Sequence, residues 1–129
     1  MCLETIHKQP KVADHDIVAY KIARRVSNHE GFYKTPIQWF EFELNKNYVD
    51  EVPLQMKVHD ESPTAYNIYG GVFHLFKCLH DVKWFAGSED IIIEAVIPEG
   101  SIFYEGFYAG TTTQCYGAKQ VRYIKEIKP

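Results

Sequence analysis

The stretch YGGVFHLFKCLHDVKWFAG (residues 69–87), running on into SEDIIIEAVIPEGSIFYEG (88–106), decides the fold. GVFHLF (71–76) alternates as a strand does. Leu79, Val82, Phe85 and Ala86 then recur at helical spacing, which predicts a short helix over 79–86, closed by Gly87 in the left-handed position just past its end. IIIEAVIP (91–98) is an apolar run broken only by Glu94. Such a run fits a central strand covered on both faces, with Ile91, Ile93, Ala95 and Ile97 turned one way. Pro98 and Gly100 make a turn into a short strand, SIFY (101–104), and Gly106 and Gly110 interrupt the residues after it.

Working outward, IVAYKIARRV (17–26) places Val18, Tyr20, Ile22 and Val26 on one strand face, with Arg24 in line with them. Structure is expected to begin near Ile17, after a loose lead-in of residues 1–15 that contains Pro10. Residues 27–36 read as a loop through Gly31 and Pro36. In IQWFEFEL (37–44), Phe40, Phe42 and Leu44 share one face, and Trp39, Glu41 and Glu43 the other. Asn45 to Asn47 mark a turn. A weaker strand over 54–58 is indicated by Leu54, Met56 and Val58, then a loop over 59–67. QVRYIKEI (120–127) closes the chain, with Val121 and Tyr123 alternating against Arg122 and Ile124. The order predicts a single α+β domain, a mostly antiparallel curved sheet with one or two short helices.

A chain of 129 residues, 46% hydrophobic and 24% charged, suits one globular domain that buries roughly two thirds of its unfolded surface. Nine Tyr and eight Phe favour strands and aromatic-lined grooves. A formal charge of -3 argues against a general electrostatic grip on nucleic acid. Three cysteines, Cys2, Cys78 and Cys115, are too few for a secreted disulfide framework, which points to a reducing compartment. No apolar stretch approaches membrane-spanning length, so a cytoplasmic protein without a membrane partner is the expectation.

No spacing in the sequence fixes a metal, cradles a phosphate or assembles a nucleophile with its base. Cys78, His80, His74 and distant Cys115 are the sole candidate metal set, and Cys78-x-His80 puts its two members on different helix faces. Cys78 or Cys115 with a histidine lacks any nucleophile signature. His74 is the most versatile single residue, since imidazole serves as base, ligand or donor near neutral pH; on an apolar face it is also a common packed core residue. GTTTQCYGAKQ (110–120) reads as a glycine-bounded loop whose Thr111, Thr112, Thr113 and Gln114 offer donors and acceptors to a polar ligand, or as an ordinary connection. Lys21, Arg24 and Arg25 give the first strand a basic character, and Tyr20, Tyr33 and Tyr104 offer stacking faces. The candidate ligand-binding set is therefore Arg24, Tyr20, His74, Tyr104, Thr111, Thr112, Thr113 and Gln114, gathered around one concavity.

Tyr20-Lys21, the G-x-F-H-x-F pattern within 71–76, the strand ending in Ile97-Pro98-x-Gly100, Tyr104-x-Gly106 and the closing RYIKEI (122–127) resemble small uncharacterised proteins of bacteriophages and gut bacteria. That resemblance implies a phage origin and an α+β fold, with no assigned activity. A fainter likeness is to ADP-ribosyltransferases, in which a strand-borne Arg, a Ser-Thr-Ser strand and a late Glu grip and use NAD. Arg24 or Arg25 matches the first element by order and Glu126 the last, but GVFHL stands where the hydroxyl-rich strand belongs. The reading is a non-catalytic binding module, needing no cofactor, whose partner is a nucleotide-like small molecule or a host protein. The alternatives are an ADP-ribosyltransferase-like NAD-using enzyme, active or decayed, and a homo-oligomer assembled through the strand that carries Trp39.

Overall fold

A computed structural model describes residues 3–5, 10–26, 31–35, 40–58, 66–108 and 110–127. Strands β1 (Leu3–Thr5), β2 (Lys11–Val12), β3 (Ile17–Arg25), β4 (Phe32–Lys34), β5 (Glu41–Glu43), β6 (Asn47–Val49), β7 (Gln55–Val58), β8 (Tyr66–Gly70) and β9 (Phe73–Phe76) precede helix α1 (Leu79–Phe85). Strands β10 (Ile91–Ile97), β11 (Ile102–Tyr108), β12 (Gln114–Ala118) and β13 (Gln120–Ile127) come after it. Every pairing is antiparallel, along the path β6-β13-β10-β3-β9-β12-β11-β1-β8-β7, with β2 beside β11 and the β4–β5 hairpin attached to β3. The result is a mostly antiparallel, curved and unclosed sheet with one short helix among the described residues.

The two ends of that path, β6 and β7, are consecutive in the chain and joined by residues 50–54 alone. A linker of that length reaches at most about 20 Å, so the sheet must curl until its edges nearly meet. Lys119 pins the linker, since its ammonium donates to the carbonyls of Val52 and Gly71 and its own carbonyl accepts from the Asp50 N–H at 2.8 Å. Gly71 has φ 82°, and a Cβ there would lie 2.5 Å from the Pro53 carbonyl oxygen, so no other residue lets the linker pass this closely.

Two apolar clusters hold the sheet. The larger gathers Ala19 and Ala23 of β3, Ile93, Ala95 and Ile97 of β10, Val121 and Tyr123 of β13, and the Tyr33–Phe42 pair of the β4–β5 hairpin. The smaller packs Val82 of α1 against Leu3, Ile68, Val72, Phe76 and Cys115. β10 is central as expected, paired with β3 on one side and β13 on the other, and Ile93, Ala95 and Ile97 are each fully buried. Glu94 sits half-buried across from Lys125, where the β10–β13 ladder shifts register.

Several expectations need correction. Residues 1–15 are not simply a lead-in: Leu3 is 1% exposed, and β1 bridges β11 and β8. On β3 the fully buried positions are Ala19 and Ala23, while Val18 is exposed and Tyr20 and Ile22 are half-buried against the smaller cluster. A strand covered on both faces loses its simple alternation, and small residues occupy the tighter side. Phe32–Lys34 is a strand rather than loop, the turn expected at 45–47 falls at Leu44–Asn45 and leads into the strand Asn47–Val49, and Tyr66 already belongs to β8; these short pieces gain order from their partners, not their own pattern. The strand after Pro98 runs through Gly106 to Tyr108, and Gln114–Ala118 is a strand inside the supposed loop. Gly117 is there because its missing side chain leaves room for Val72 and Leu3, 3.0 and 3.2 Å from where a Cβ would stand. Helix α1 ends in an extended Ala86, and Gly87, which lacks a positive φ, gives its N–H to Asp90 Oδ2 at 2.8 Å. Trp39 lies outside the described residues.

Ile93→Asp places an unpaired carboxylate in the centre of the larger cluster and is expected to cost on the order of 4 kcal/mol or more, or to abolish folding. Chemical denaturation checks this; an unchanged midpoint would contradict the central position of β10.

Candidate functional site

β3 and β9 meet at one register position, Tyr20 opposite Phe76, and carry no further paired positions with each other among the described residues. Where they part, the Lys21 ammonium donates to the His74 carbonyl at 2.8 Å. On its other edge β9 continues into β12, with His74 opposite Gly117. The parting of the two strands and the curl imposed by residues 50–54 leave a cavity of about 380 Å³. Lys21 and His74 line it, with Thr35 after β4, Tyr123 of β13, and Asp50, Glu51 and Val52 of the linker. Phe40, Tyr48 and Phe73 add aromatic surface, Phe40 packing edge-on to Tyr48 at 5.5 Å and tilted against Phe73 at 5.8 Å. Thr35 and Phe40 are tied by two bonds, Thr35 N–H to the Phe40 carbonyl and Phe40 N–H to Thr35 Oγ1, which fixes that wall.

Polar groups at this cavity are short of partners. Both ring nitrogens of His74 and the Tyr123 hydroxyl are buried and make no hydrogen bond within the described residues. His74 is 2% exposed and Tyr123 fully buried, with its ring stacked on Phe42 at 3.9 Å. Leaving such groups unsatisfied costs about 1–3 kcal/mol each, and Asn67 Oδ1 and Ser101 Oγ, outside this cavity, share that position. Burial, and after it the nearby Lys21 charge, pushes the His74 imidazole down to about 3, so the ring is neutral at physiological pH. Burial likewise lowers the Lys21 amine to about 8 and raises the Tyr123 hydroxyl. The site thus offers an amine close to its titration point, a neutral imidazole and a neutral phenol, with two carboxylates on the more exposed linker.

Of the ligand-binding set drawn from the sequence, only His74 lines this cavity. Arg24 is ion-paired to Asp90 at 3.0 Å, Tyr20 packs on the smaller cluster, and Tyr104 is buried opposite Gly117. Thr111 and Thr113 build the β11–β12 turn, through Thr111 Oγ1 donating to the Tyr108 carbonyl and accepting from the Thr113 N–H. Thr112 is exposed beside them, and Gln114 opens β12 opposite Phe107. The single concavity joining Arg24, His74 and the threonines is therefore not the arrangement found; the hydroxyls satisfy their own turn. Cys115 is buried, and burial pushes its thiol up to about 12, which removes it as a nucleophile at neutral pH. Among the described residues, no three His, Cys, Asp or Glu side chains group to hold a metal ion. The sequence places Lys21 in a basic strand face suited to an anionic pocket but outside the site set, and does not mark Tyr123 or Thr35. A lysine inside the apolar run IVAYKIA was the available signal.

A second cavity, of about 550 Å³, lies where β3, the end of α1, β10 and β13 converge. Arg25 and Glu126 line it as an ion pair, and Glu126 also accepts from the Tyr33 hydroxyl at 3.0 Å.

The buried neutral imidazole makes stability depend on pH with a definite sign. As pH falls below the ordinary value of 6.5 the unfolded chain takes up a proton at His74, while the folded chain does not until about 3. Stability is therefore lost with acidification across that window. His74→Gln removes this dependence and is expected to lose about 2 kcal/mol less than the wild type between pH 7 and pH 5, read by urea denaturation at both values. Equal losses would show that the folded His74 titrates normally.

No family profile matches the chain, and no curated protein or solved structure shows significant similarity to it.

Proposed function

We propose that the protein is a small-molecule binding module whose site is the cavity bounded by Lys21, His74, Tyr123 and the linker 50–54. The observation that carries this reading is the meeting of half-buried Lys21 with buried His74 and Tyr123 in the wall of one aromatic-lined cavity, the last two having side-chain polar atoms without a hydrogen-bond partner among the described residues. At about 380 Å³ the cavity falls at the small end of the range of about 300–1,000 Å³ for ligand sites. Its chemistry suits a planar ring carrying a carbonyl or similar oxygen for the Lys21 and Tyr123 donors, and an amine or hydroxyl for Asp50 and Glu51. A nucleobase or nucleoside has that pattern, which keeps a nucleotide-like ligand as the leading class.

A second reading, an NAD-using site of ADP-ribosyltransferase type, has the Arg25–Glu126 contact at the larger cavity in its favour. Against it, Glu126 is already engaged by Arg25 and Tyr33, and β9 reads FHLF without a hydroxyl.

Thermal-shift measurement against nucleobases, nucleosides, nucleoside monophosphates and NAD tests both readings. A binding ligand at a hundred times its Kd is expected to raise Tm by roughly 5–10 °C. Lys21→Met and Tyr123→Phe, each compared with its own ligand-free Tm, should lose most of the shift. A shift with NAD that both variants retain but Arg25→Gln lacks moves the assignment to the larger cavity. No shift with any compound overturns the small-molecule reading and leaves a host protein surface as the partner.

A further inference from the structure

We infer that Lys21 is a covalent capture residue: its amine condenses reversibly with the aldehyde or ketone of a ligand held in the aromatic cavity, forming an imine. The inference rests on the binding role proposed above and names the ligand class, a planar carbonyl compound. It stands on where Lys21 is. The residue lies mid-strand on β3, opposite Ile93, and its amine reaches the cavity wall at the His74 carbonyl, its one hydrogen-bond partner shown. Among the described residues no carboxylate is paired with it, in contrast to Lys11, which is bridged to Glu105, and to Arg24 and Arg25, each with an acid. A lysine retained for stability in such surroundings would be expected to find an acidic partner, because an unpaired buried ammonium is costly. An amine desolvated against aromatic and apolar surface is the arrangement in which lysine becomes a nucleophile toward carbonyl carbon.

The groups needed for the condensation are at the same cavity. The uncharged amine attacks the carbonyl carbon, forming the C–N bond while the carbonyl oxygen takes a proton. Nitrogen gives up both its protons in turn, one to offset the proton taken by the oxygen and the second to the resulting hydroxyl, which leaves as water as the C=N bond forms, so no oxidant or reductant enters. Tyr123 lines the cavity, and its neutral hydroxyl can donate a hydrogen bond to the carbonyl oxygen. Depression of the Lys21 amine to about 8 leaves a useful uncharged fraction at pH 7, whereas lysines of ordinary value are almost wholly protonated there. Asp50 and Glu51 favour a ring that also bears a hydroxyl or amine.

The test uses the intact protein with 4-hydroxybenzaldehyde and sodium cyanoborohydride at pH 7, and then peptide mapping of the reductively trapped product. Lys21 is expected to be labelled at least about tenfold faster than exposed lysines such as Lys57 and Lys83. The thermal shift given by 4-hydroxybenzamide, which has the same ring but forms no imine under these conditions, reads non-covalent occupancy separately. Lys21→Arg should remove the fast label. Labelling spread evenly over the lysines, or Lys21 labelled only after denaturation, would overturn covalent capture. A thermal shift with the amide in either case leaves the binding role standing, so the two conclusions fail separately.

Discussion

The short linker between β6 and β7 is the constraint on which the rest of the molecule depends. Residues 50–54 must join the two outermost strands of a ten-strand path, and a chain segment so short forces the sheet to curl. Lys119 holds the linker in place from the β12–β13 junction, and Gly71 lets it pass against the backbone. Once the sheet is curled, its concave side is partly filled by the β4–β5 hairpin, whose Tyr33 and Phe42 stack in series onto Tyr123. The space the hairpin leaves beside β9 is the cavity.

The polar side chains at that place run against stability. An apolar trio of similar size in place of Lys21, His74 and Tyr123 would fill the interior without leaving unpartnered polar atoms. The chain instead holds an amine, an imidazole and a phenol in surroundings that suppress the charge of the first two and keep the third protonated. Elsewhere turn hydroxyls close their own turn, Arg24 meets Asp90 and β10 carries its apolar residues inward, while Asn67 Oδ1 and Ser101 Oγ are also buried without a partner among the described residues.

Much of the sheet could be read from the sequence because period and continuity are local properties. IIIEAVI had to be a central strand, QVRYIKEI had to alternate, and LHDVKWF had to be a short helix with its stripe inward. Residues 32–34 and 47–49 were not legible as strands, since three residues carry too little pattern and their order comes from neighbours distant in sequence. The stretch from Gly110 to Gly117 misled for a related reason. Glycine suggests a turn, and at Gly110, with φ 77°, it makes one. At Gly117 the same residue type answers the close approach of Val72 and Leu3, which no local rule announces.

His74 was legible as a candidate residue because a histidine among apolar neighbours stands out in any reading. Its companions were not, because Lys21 and Tyr123 lie far apart in sequence and each looks like part of an ordinary alternating strand. By itself the sequence determined the antiparallel sheet, the place of the helix and the central position of β10, all consequences of side-chain periodicity against a backbone of fixed repeat. Only the tertiary structure decided which polar residues share a cavity, because that depends on where β3 and β9 part and on how tightly residues 50–54 draw the sheet edges together.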